Sequence, residues 1–335
     1  MTVAFADLPR RAQLHRLAAA ADRALARYDI GTHTRSLVVY EFNATYRIDT
    51  GEERFALRIN VNSPHRGAAV RAEATWVAEL HRTGRLRVPE PIRTRDGEPS
   101  TTVAVDSLDH EVGAVLYRWL PGPDLGSRAS AARLAAIGGA MATLHEHTAT
   151  WIHPELSARP SVASLFMDET DHISGDPRIA KADARVLDRA LAEQERLLTP
   201  VFGGPTQLLH ADLHMWNAKW VDGDIAVIDF DDAGIGAPLQ DLAITTYYVR
   251  DRPEGGEAIK QGYEEVRPLP PHTDADFEAL VANRNMMLLN SIMTSSTADM
   301  IEFVPEYTAR TVRRMQNWLE TGRFEHEPPQ ADGQR

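Results

Sequence analysis

Residues 210–241 read HADLHMWNAKWVDGDIAVIDFDDAGIGAPLQD, and this stretch decides the fold. His210 and Asp212 open a loop directly after a short apolar run, and Asn217 follows five positions after Asp212. A hairpin is predicted next, and the apolar strand that completes it ends at Asp229. The pattern therefore places a carboxylate and an amide on one loop, and a second carboxylate at the end of an adjacent strand.

This order of oxygen-bearing side chains suits phosphoryl transfer from ATP. The reaction needs a carboxylate that orients the attacking hydroxyl and accepts its proton, and oxygen ligands for the Mg²⁺ that neutralises the β- and γ-phosphates. One loop can hold the base and an amide ligand a few residues apart, and a second carboxylate completes the metal site. The stretch matches the kinase pattern H-x-D-x-x-x-x-N followed by D-F-x.

With the later Pro238-Leu-Gln-Asp241-Leu-Ala, the stretch resembles the aminoglycoside phosphotransferase-like kinases. That superfamily includes choline kinases, homoserine kinases of the same fold and bacterial stress-response kinases, and the likeness is closest to the last two branches. It extends through most of the chain. The resemblance implies an α+β, protein-kinase-like fold of two lobes, ATP and Mg²⁺ as cofactors, and a small-molecule hydroxyl as the phosphate acceptor.

The resemblance also implies a role for each residue of the motif. Asp212 is then the catalytic base, and Asn217 and Asp229 bind Mg²⁺. His210 and Asp241 match positions that mostly brace the catalytic loop. By itself Asp212 would suit a helix cap or a plain loop carboxylate, but Asn217 and Asp229 at these offsets favour the catalytic interpretation.

Three further segments resemble the nucleotide-binding parts of the family. Phe42-Asn-Ala-Thr-Tyr-Arg47 is similar to the hairpin that covers the phosphates in homoserine kinases. Phe55-Ala-Leu-Arg58 stands where the family has its phosphate-binding third strand, and Glu73 matches the helix glutamate that pairs with the cation of that strand. Leu116-Tyr-Arg-Trp-Leu-Pro-Gly122 is similar to the adenine-binding hinge. The residues implied to bind the nucleotide are Phe42, Asn43, Arg58, Glu73, Tyr117, Trp119 and Leu120.

Arg58 departs from the family pattern, which usually has a lysine on the third strand. The first 120 residues contain no lysine that would replace it. Arginine stays charged and holds phosphate oxygens with two N–H groups, but its planar head is not interchangeable with an ammonium. Arg58 is therefore the feature that keeps a nucleotide-binding pseudokinase open as an alternative function.

Outside the motifs, the chain divides into a strand-rich first part and a helical second part. A helix is predicted over residues 8–28, and five or six antiparallel strands follow, with one helix over residues 67–82 inserted after the third. The sixth strand would be residues 88–94, which contain two prolines that cannot donate to a ladder. In the second part, helices are predicted over residues 130–147, 182–198, 238–249, 274–293 and 306–319.

A break at residues 120–124 separates the two parts. We expect a small nucleotide-binding lobe over residues 1–120, a larger, mainly helical catalytic and substrate-binding lobe over residues 121–325, and a disordered tail over residues 326–335. Clefts between lobes are favoured places for ligands, so the nucleotide is expected between them.

Charge narrows the classes of partner. The formal net charge is −12, which disfavours nucleic acid as a partner, and there is no cysteine for a disulfide or zinc–thiolate framework. Residues 1–120 hold 17 basic and 15 acidic side chains, whereas residues 121–335 hold 19 and 33. Neither a signal peptide nor a membrane span is predicted, so we expect a cytoplasmic protein. The sequence does not indicate the oligomeric state.

Two other functions remain open. A serine/threonine protein kinase of the bacterial stress-response type shares the motif, although no activation segment with a phosphosite is recognisable. His210-x-Asp212-x-His214 also suits a metal hydrolase, because histidine and aspartate are common transition-metal ligands. That function needs further ligands at set positions, and no other histidine forms a matching motif.

Overall fold

A computed structural model describes residues 3–63, 67–126 and 129–327. The first part forms a five-stranded antiparallel sheet with the order β1-β2-β3-β5-β4. Helix α1 (Arg10–Leu25) precedes the sheet, and α2 (Ala68–Thr83) is inserted between β3 and β4. The strands are β1 (Thr34–Tyr40), β2 (Ala44–Asp49), β3 (Arg54–Ile59), β4 (Thr101–Ala104) and β5 (Glu111–Arg118).

The chain turns near Asn43, between β1 and β2. In β2 the residues alternate between buried and half-buried positions, with Ala44, Tyr46 and Ile48 facing the core. This is the period-two pattern of a strand that has one face against a core. The turn after Asp49 then returns the chain into β3, which pairs with β2 along its whole length.

The sixth predicted strand, residues 88–94, does not form. The segment follows the edge of β5 beyond the end of β4, where the amide of Ile92 donates to Leu116 and the amide of Arg118 donates to Glu90. Only an isolated bridge at Pro91 satisfies the pairing geometry. The two prolines lack the N–H groups that a continuous ladder requires.

The second part is mainly helical and contains one helix that the sequence did not predict. The helices are α3 (Ala131–Thr150), α4 (Lys181–Phe202), α5 (Pro238–Tyr247), α6 (Pro253–Glu264), α7 (Asp274–Thr294) and α8 (Ala298–Thr321). The glycines of α6 have a low helix propensity, but they allow α6 to pack closely against α3. An added Cβ at Gly262 would lie 1.9 Å from the carbonyl oxygen of Ala135. Helix α8 was predicted to start at residue 306, directly after Pro305. It starts at Ala298 instead, because the helix includes Pro305.

Two short antiparallel pairs carry the motif stretch. Strand β6 (Gln207–Leu209) pairs with β9 (Gly234–Gly236), and β7 (Ala218–Val221) pairs with β8 (Asp224–Val227). The loop after β6 and the end of β8 therefore lie side by side. Strand β9 was not predicted from the sequence.

Helix α2 connects the sheet to the helical part. Val70 and Trp76 belong to the large apolar core of the helical part, whereas the sheet and α1 enclose a second core. The Trp76 ring meets the Phe230 ring edge to face, with 5.2 Å between centroids. This packing places Glu73, on the same helix, next to the motif stretch.

At the chain end, His326 is half-buried, and its Nε2 donates to the carbonyl oxygen of Tyr247 at 2.7 Å. The predicted disordered tail thus begins with an ordered contact, and residues 328–335 lie outside the described residues. Within the described part of the chain, no helix is both long and apolar enough to cross a membrane.

Candidate active site

Asp241 fixes the loop that follows β6. It lies fully buried in the first turn of α5, where its Oδ2 accepts the amide of His210 at 3.1 Å and its Oδ1 accepts the amide of Ala211 at 2.7 Å. Ala211 has a φ of 62°, a left-handed conformation that few residues other than glycine adopt. His145 also contacts Asp241, with 3.0 Å between Nε2 and Oδ2. The buried carboxylate thus stabilises a strained loop.

His210 joins the two halves of the motif. Its Nε2 donates to the carbonyl oxygen of Ile228 at 3.1 Å, and its Nδ1 accepts the amide of Asp212 at 3.3 Å. Burial lowers the pKa of the His210 imidazole, so the ring is neutral and keeps this tautomer. Because both ring nitrogens are engaged, His210 is not available as a ligand of a hydrolase metal.

Asp212 and Asn217 contact each other directly. The Nδ2 of Asn217 donates to the Oδ2 of Asp212 at 3.0 Å and to its carbonyl oxygen at 2.9 Å. The carbonyl oxygen of Asn217 in turn accepts the amide of Ile228 at 3.0 Å, just before Asp229. The structure therefore brings together the three residues predicted to form the catalytic and metal site.

Asp212 contacts several donors, of which Arg284 and Tyr248 were not predicted from the sequence. Arg284 of α7 donates to its Oδ1, Tyr248 donates to the same oxygen at 3.2 Å, and His214 lies 3.4 Å from Oδ2. Burial acts to raise the pKa of the Asp212 carboxyl, but Arg284 and His214 together outweigh it and hold that pKa below its usual value. Asp212 is therefore ionised.

The end of β8 concentrates negative charge. Asp229 has a φ of 63° and projects into the cavity with 46% of its side chain exposed. Burial raises the pKa of Asp229 to about 6. The positive charge of Arg58 acts against this rise, and the negative charge of Asp231 adds to it. Burial and the charge of Asp212 raise the pKa of Asp232 well above its usual value. A divalent cation would relieve this repulsion.

Arg58 of β3 and Glu73 of α2 form the predicted pair, with 2.5 Å between Nη2 and Oε2. The hydroxyl of Tyr117 donates to the other carboxylate oxygen of Glu73 at 2.9 Å. Arg58 also donates from Nε to the Oδ1 of Asn60 at 3.0 Å and from Nη1 to the Oδ1 of Asp229 at 3.2 Å. One guanidinium thus connects the sheet, α2 and the end of β8.

A cavity of about 910 Å³ lies between the sheet and the helical part. Its lining includes Phe42, Asn43 and Arg58 from the sheet side and Asp212, Asn217 and Asp229 from the motif stretch. Tyr117, Trp119 and Leu120, predicted as nucleotide contacts, lie outside this lining. The Tyr117 hydroxyl donates to Glu73 instead. The centroid of the Trp119 ring lies 6.0 Å from the guanidinium carbon of Arg47.

The oxygen ligands of the site fit Mg²⁺. Among the described residues, no group of three histidine or carboxylate side chains is arranged to hold a metal by itself. Mg²⁺ commonly binds to one or two carboxylates together with substrate phosphates, and it retains water. Asn217 and Asp229, open to a cavity large enough for a nucleotide, suit that mode of binding.

A family model described as the phosphotransferase enzyme family matches residues 41–275. The chain belongs to this family. It is a kinase-type phosphotransferase, and the resemblance predicted from the motif stretch is confirmed. An uncharacterized protein of Deinococcus radiodurans, 26% identical over 249 residues, covers 71% of this chain and 70% of its own length.

Solved structures support the family fold. The structure of a microcompartment-associated aminopropanol kinase is 25% identical, covers 92% of this chain and 100% of that one, and has a TM-score of 0.74. An amicoumacin kinase, solved with AMP-PNP, Ca²⁺ and its ligand, is 17% identical and has a TM-score of 0.72. The match covers 91% of this chain and 96% of that kinase. The predicted protein-kinase-like fold is therefore confirmed.

Arg284 lies far beyond the motif stretch in the sequence, whereas Tyr248 follows Asp241 by seven positions. They come from α7 and from the residue that follows α5, and no local spacing links them to Asp212. Arg284 is the only charged residue in the stretch 279–294 of α7, and this charge within a mostly buried stretch is the one signal that marks it. A buried arginine in such a helix requires a negative partner.

Proposed function

We propose that this phosphotransferase transfers the γ-phosphate of ATP to a hydroxyl of a small molecule, with Mg²⁺ as its metal. The observation that carries the proposal is the grouping of Asp212, Asn217 and Asp229 on one side of a cavity whose other side holds Arg58. These are the groups that phosphoryl transfer requires: a carboxylate for the hydroxyl, oxygen ligands for the metal and a cation for the phosphates.

In this mechanism Arg58 holds phosphate oxygens while Glu73 fixes the orientation of the guanidinium. Arg58 is buried, with 7% of its side chain exposed, so it is held in one place before the nucleotide binds. Asn217 and Asp229 would hold Mg²⁺, which supplies charge neutralisation to the β- and γ-phosphates. Asp231 supports Asn43 and Asn60 of the sheet side through hydrogen bonds of 2.7 and 2.5 Å.

Asp212 accepts the hydrogen bond of the acceptor hydroxyl and directs its oxygen toward the γ-phosphorus. As the P–O bond to the acceptor forms and the bond to the β-phosphate oxygen breaks, the hydroxyl proton passes to Asp212. A strongly ionised carboxylate is a weak base, which suits a reaction whose transition state develops little bond to the nucleophile. Its main contribution is therefore orientation.

The cavity lining favours a cationic or amine-bearing alcohol as the acceptor. Asp168 and Glu169 line the cavity, and both Met167 and Asp168 have left-handed backbone, with φ of 52° and 68°. Trp216 contributes an exposed ring, 50% accessible, that can contact an ammonium or an alkyl chain. Amino alcohols, homoserine-like amino acids and aminoglycosides all share these chemical features.

An acceptor screen with labelled ATP tests the function. The first acceptors are aminopropanol, which the similar kinase is named for, then homoserine and spectinomycin, with serine-containing protein as the probe for a protein kinase. We expect Mg²⁺-dependent ATP consumption with at least one amine-bearing alcohol and none with protein. The proposal would be contradicted if Mg-ATP neither raised the melting temperature nor was consumed with any acceptor. That result would also argue against a protein kinase and against a nucleotide-binding pseudokinase.

The pseudokinase alternative rests on Arg58. The same acceptor screen distinguishes a pseudokinase from an active kinase. A pseudokinase would bind Mg-ATP, and raise its melting temperature, without turnover in the presence of any acceptor. Arg58 reaches Glu73 and Asp229 directly, which supports a working phosphate site rather than a degenerate one. We therefore favour the enzyme.

A further inference from the structure

We propose that Arg284 is a positioning residue for Asp212, which it holds in the orientation that phosphoryl transfer needs. The inference rests on the proposed role of Asp212. Arg284 lies on α7, and its Nη2 donates to the Oδ1 of Asp212 and to the hydroxyl of Tyr248 at 2.9 Å. Residue 284 lies beyond the segment matched by the family model, which ends at residue 275. This part of the site is contributed by the stretch of α7 that lies beyond the match.

The two oxygens of Asp212 are held from opposite sides. Oδ1 accepts from Arg284 and from Tyr248, whereas Oδ2 accepts from Asn217 of the catalytic loop and lies next to His214. Without Arg284 the carboxylate would keep only neutral donors on one side. The side-chain torsions of a carboxylate held on both oxygens are fixed before substrate binds, which is where an orienting carboxylate gains its effect.

Arg284 is itself rigid. Only 5% of its side chain is exposed, and its guanidinium carbon lies 5.7 Å from the Tyr248 ring centroid. A buried ion pair is often no more stabilising than an apolar pair of the same size. A pair placed on the candidate base, in the wall of the cavity, is therefore better explained by function than by stability.

Tyr248 occupies the place on Asp212 that an acceptor hydroxyl would take. Its hydroxyl donates to Oδ1 of Asp212 as an acceptor hydroxyl would, and it lines the cavity. The bond is longer than an ideal hydroxyl–carboxylate bond, so an acceptor hydroxyl can displace it. Loss of this hydroxyl leaves the ion pair between Arg284 and Asp212 intact.

The test compares Arg284→Met, Arg284→Lys and Tyr248→Phe with a matched control, Arg250→Met. Arg250 also pairs with a carboxylate of α7, Glu278, at 2.5 Å in a half-buried position, but it does not line the cavity. We expect Arg284→Met to lower kcat about 100-fold, the effect of a misplaced catalytic group, with KM for ATP within about threefold of the parent value.

Arg284→Lys should recover part of kcat, because it restores a cation but not the two-way donor geometry. Tyr248→Phe should lower kcat less than Arg284→Met does, since Arg284 still orients the carboxylate. Arg250→Met should keep kcat and KM while its melting temperature falls. The Mg-ATP-induced rise in melting temperature should persist in all four variants.

Three outcomes would overturn the inference. They are a kcat of Arg284→Met within about threefold of the parent, a loss in Arg284→Met that Arg250→Met equals, and a loss in which KM for ATP rises in parallel. Asp212→Asn is measured beside these variants. An inactive Asp212→Asn with an active Arg284→Met contradicts this inference alone, whereas an active Asp212→Asn contradicts the proposed function and the inference together.

Discussion

Arg58 of β3 and Asp229 at the end of β8 form an ion pair, with 3.2 Å between Nη1 and Oδ1, although 171 positions separate them in the sequence. The same guanidinium holds Glu73 of α2. A cation and a carboxylate so arranged are the two groups that a metal–nucleotide complex would separate, with phosphate oxygens on Arg58 and the metal on Asp229. Nucleotide binding should therefore depend on both residues in different ways.

Arg58→Met should weaken nucleotide binding. It removes the phosphate cation and leaves Glu73 buried without its partner, so we expect KM for ATP to rise at least tenfold, with Arg58→Lys intermediate. Arg35→Met is the control, because Arg35 of β1 pairs with Asp22 of α1 and does not line the cavity. Steady-state kinetics at saturating acceptor checks this. An unchanged KM in Arg58→Met would exclude Arg58 from the phosphate site.

Asp229→Asn should stabilise the metal-free protein while it abolishes metal binding. Because the pKa of Asp229 is raised to about 6 from 3.8, its stabilising contribution is complete below about pH 4 and is lost as the pH rises through 6. Solvent in the cleft offsets part of the effect, so we expect a melting temperature about 2 °C higher at pH 8 and little change at pH 5.

Mg-ATP should stabilise the parent more at pH 8 than at pH 5.5, since the metal competes with a proton for Asp229. The variant should lose this response. Asp222→Asn, in an exposed hairpin turn, is the matched control and should behave as the parent. Thermal unfolding with and without Mg-ATP measures both effects. A metal-free Asp229→Asn less stable than the parent at pH 8 would contradict the prediction.

Arg159 should be required for stability and for the placement of α2. It is buried and donates to the carbonyl oxygens of Ala69 at 2.9 Å, of Asp231 at 2.9 Å and of Ala233. Arg159→Met removes the guanidinium donor from all three carbonyl oxygens, so we expect a loss of about 3 kcal/mol in the free energy of unfolding. Chemical denaturation checks this, with the exposed Arg189→Met of α4 as control. Equal stability of the two variants would show that Arg159 is dispensable.

The crossing of α3 and α6 should tolerate no side chain at Gly138. An added Cβ would lie 1.9 Å from the carbonyl oxygen of Ile259, whereas at the adjacent Gly139 the nearest atom is 3.4 Å away. Gly138→Ala should therefore lose about 3 kcal/mol of unfolding free energy, and Gly139→Ala should change it by less than about 1 kcal/mol. Urea unfolding measures both. A Gly138→Ala variant as stable as Gly139→Ala would show that the helices are further apart.

The sequence predicted those parts of the site that lie close together in the chain. Asp212, Asn217 and Asp229 share one stretch, and Arg58 and Glu73 lie on neighbouring elements with strong periodicity. Arg284 was not predicted, because the spacing within α7 does not reveal which of its polar residues faces another element. The contact with Asp212 exists only once α7 packs beside the catalytic loop.

Fold prediction failed where tertiary packing overrides local preference. Helix α6 contains Gly255, Gly256 and Gly262, which disfavour a helix in isolation, but close contact with α3 stabilises it. The segment 88–94 has the apolar residues of a strand, but its prolines remove the donors of a ladder. The five-stranded sheet with α2 after its third strand was predicted, because alternating burial along the strands is a local signal.

The most direct test of the central claim is the turnover of Asp212→Asn. With an acceptor found in the screen, we predict that the variant loses at least about 1,000-fold in kcat, while Mg-ATP still raises its melting temperature as in the parent. That result would place Asp212 in the chemical step rather than in nucleotide binding. An Asp212→Asn enzyme with a kcat within about tenfold of the parent would contradict the account.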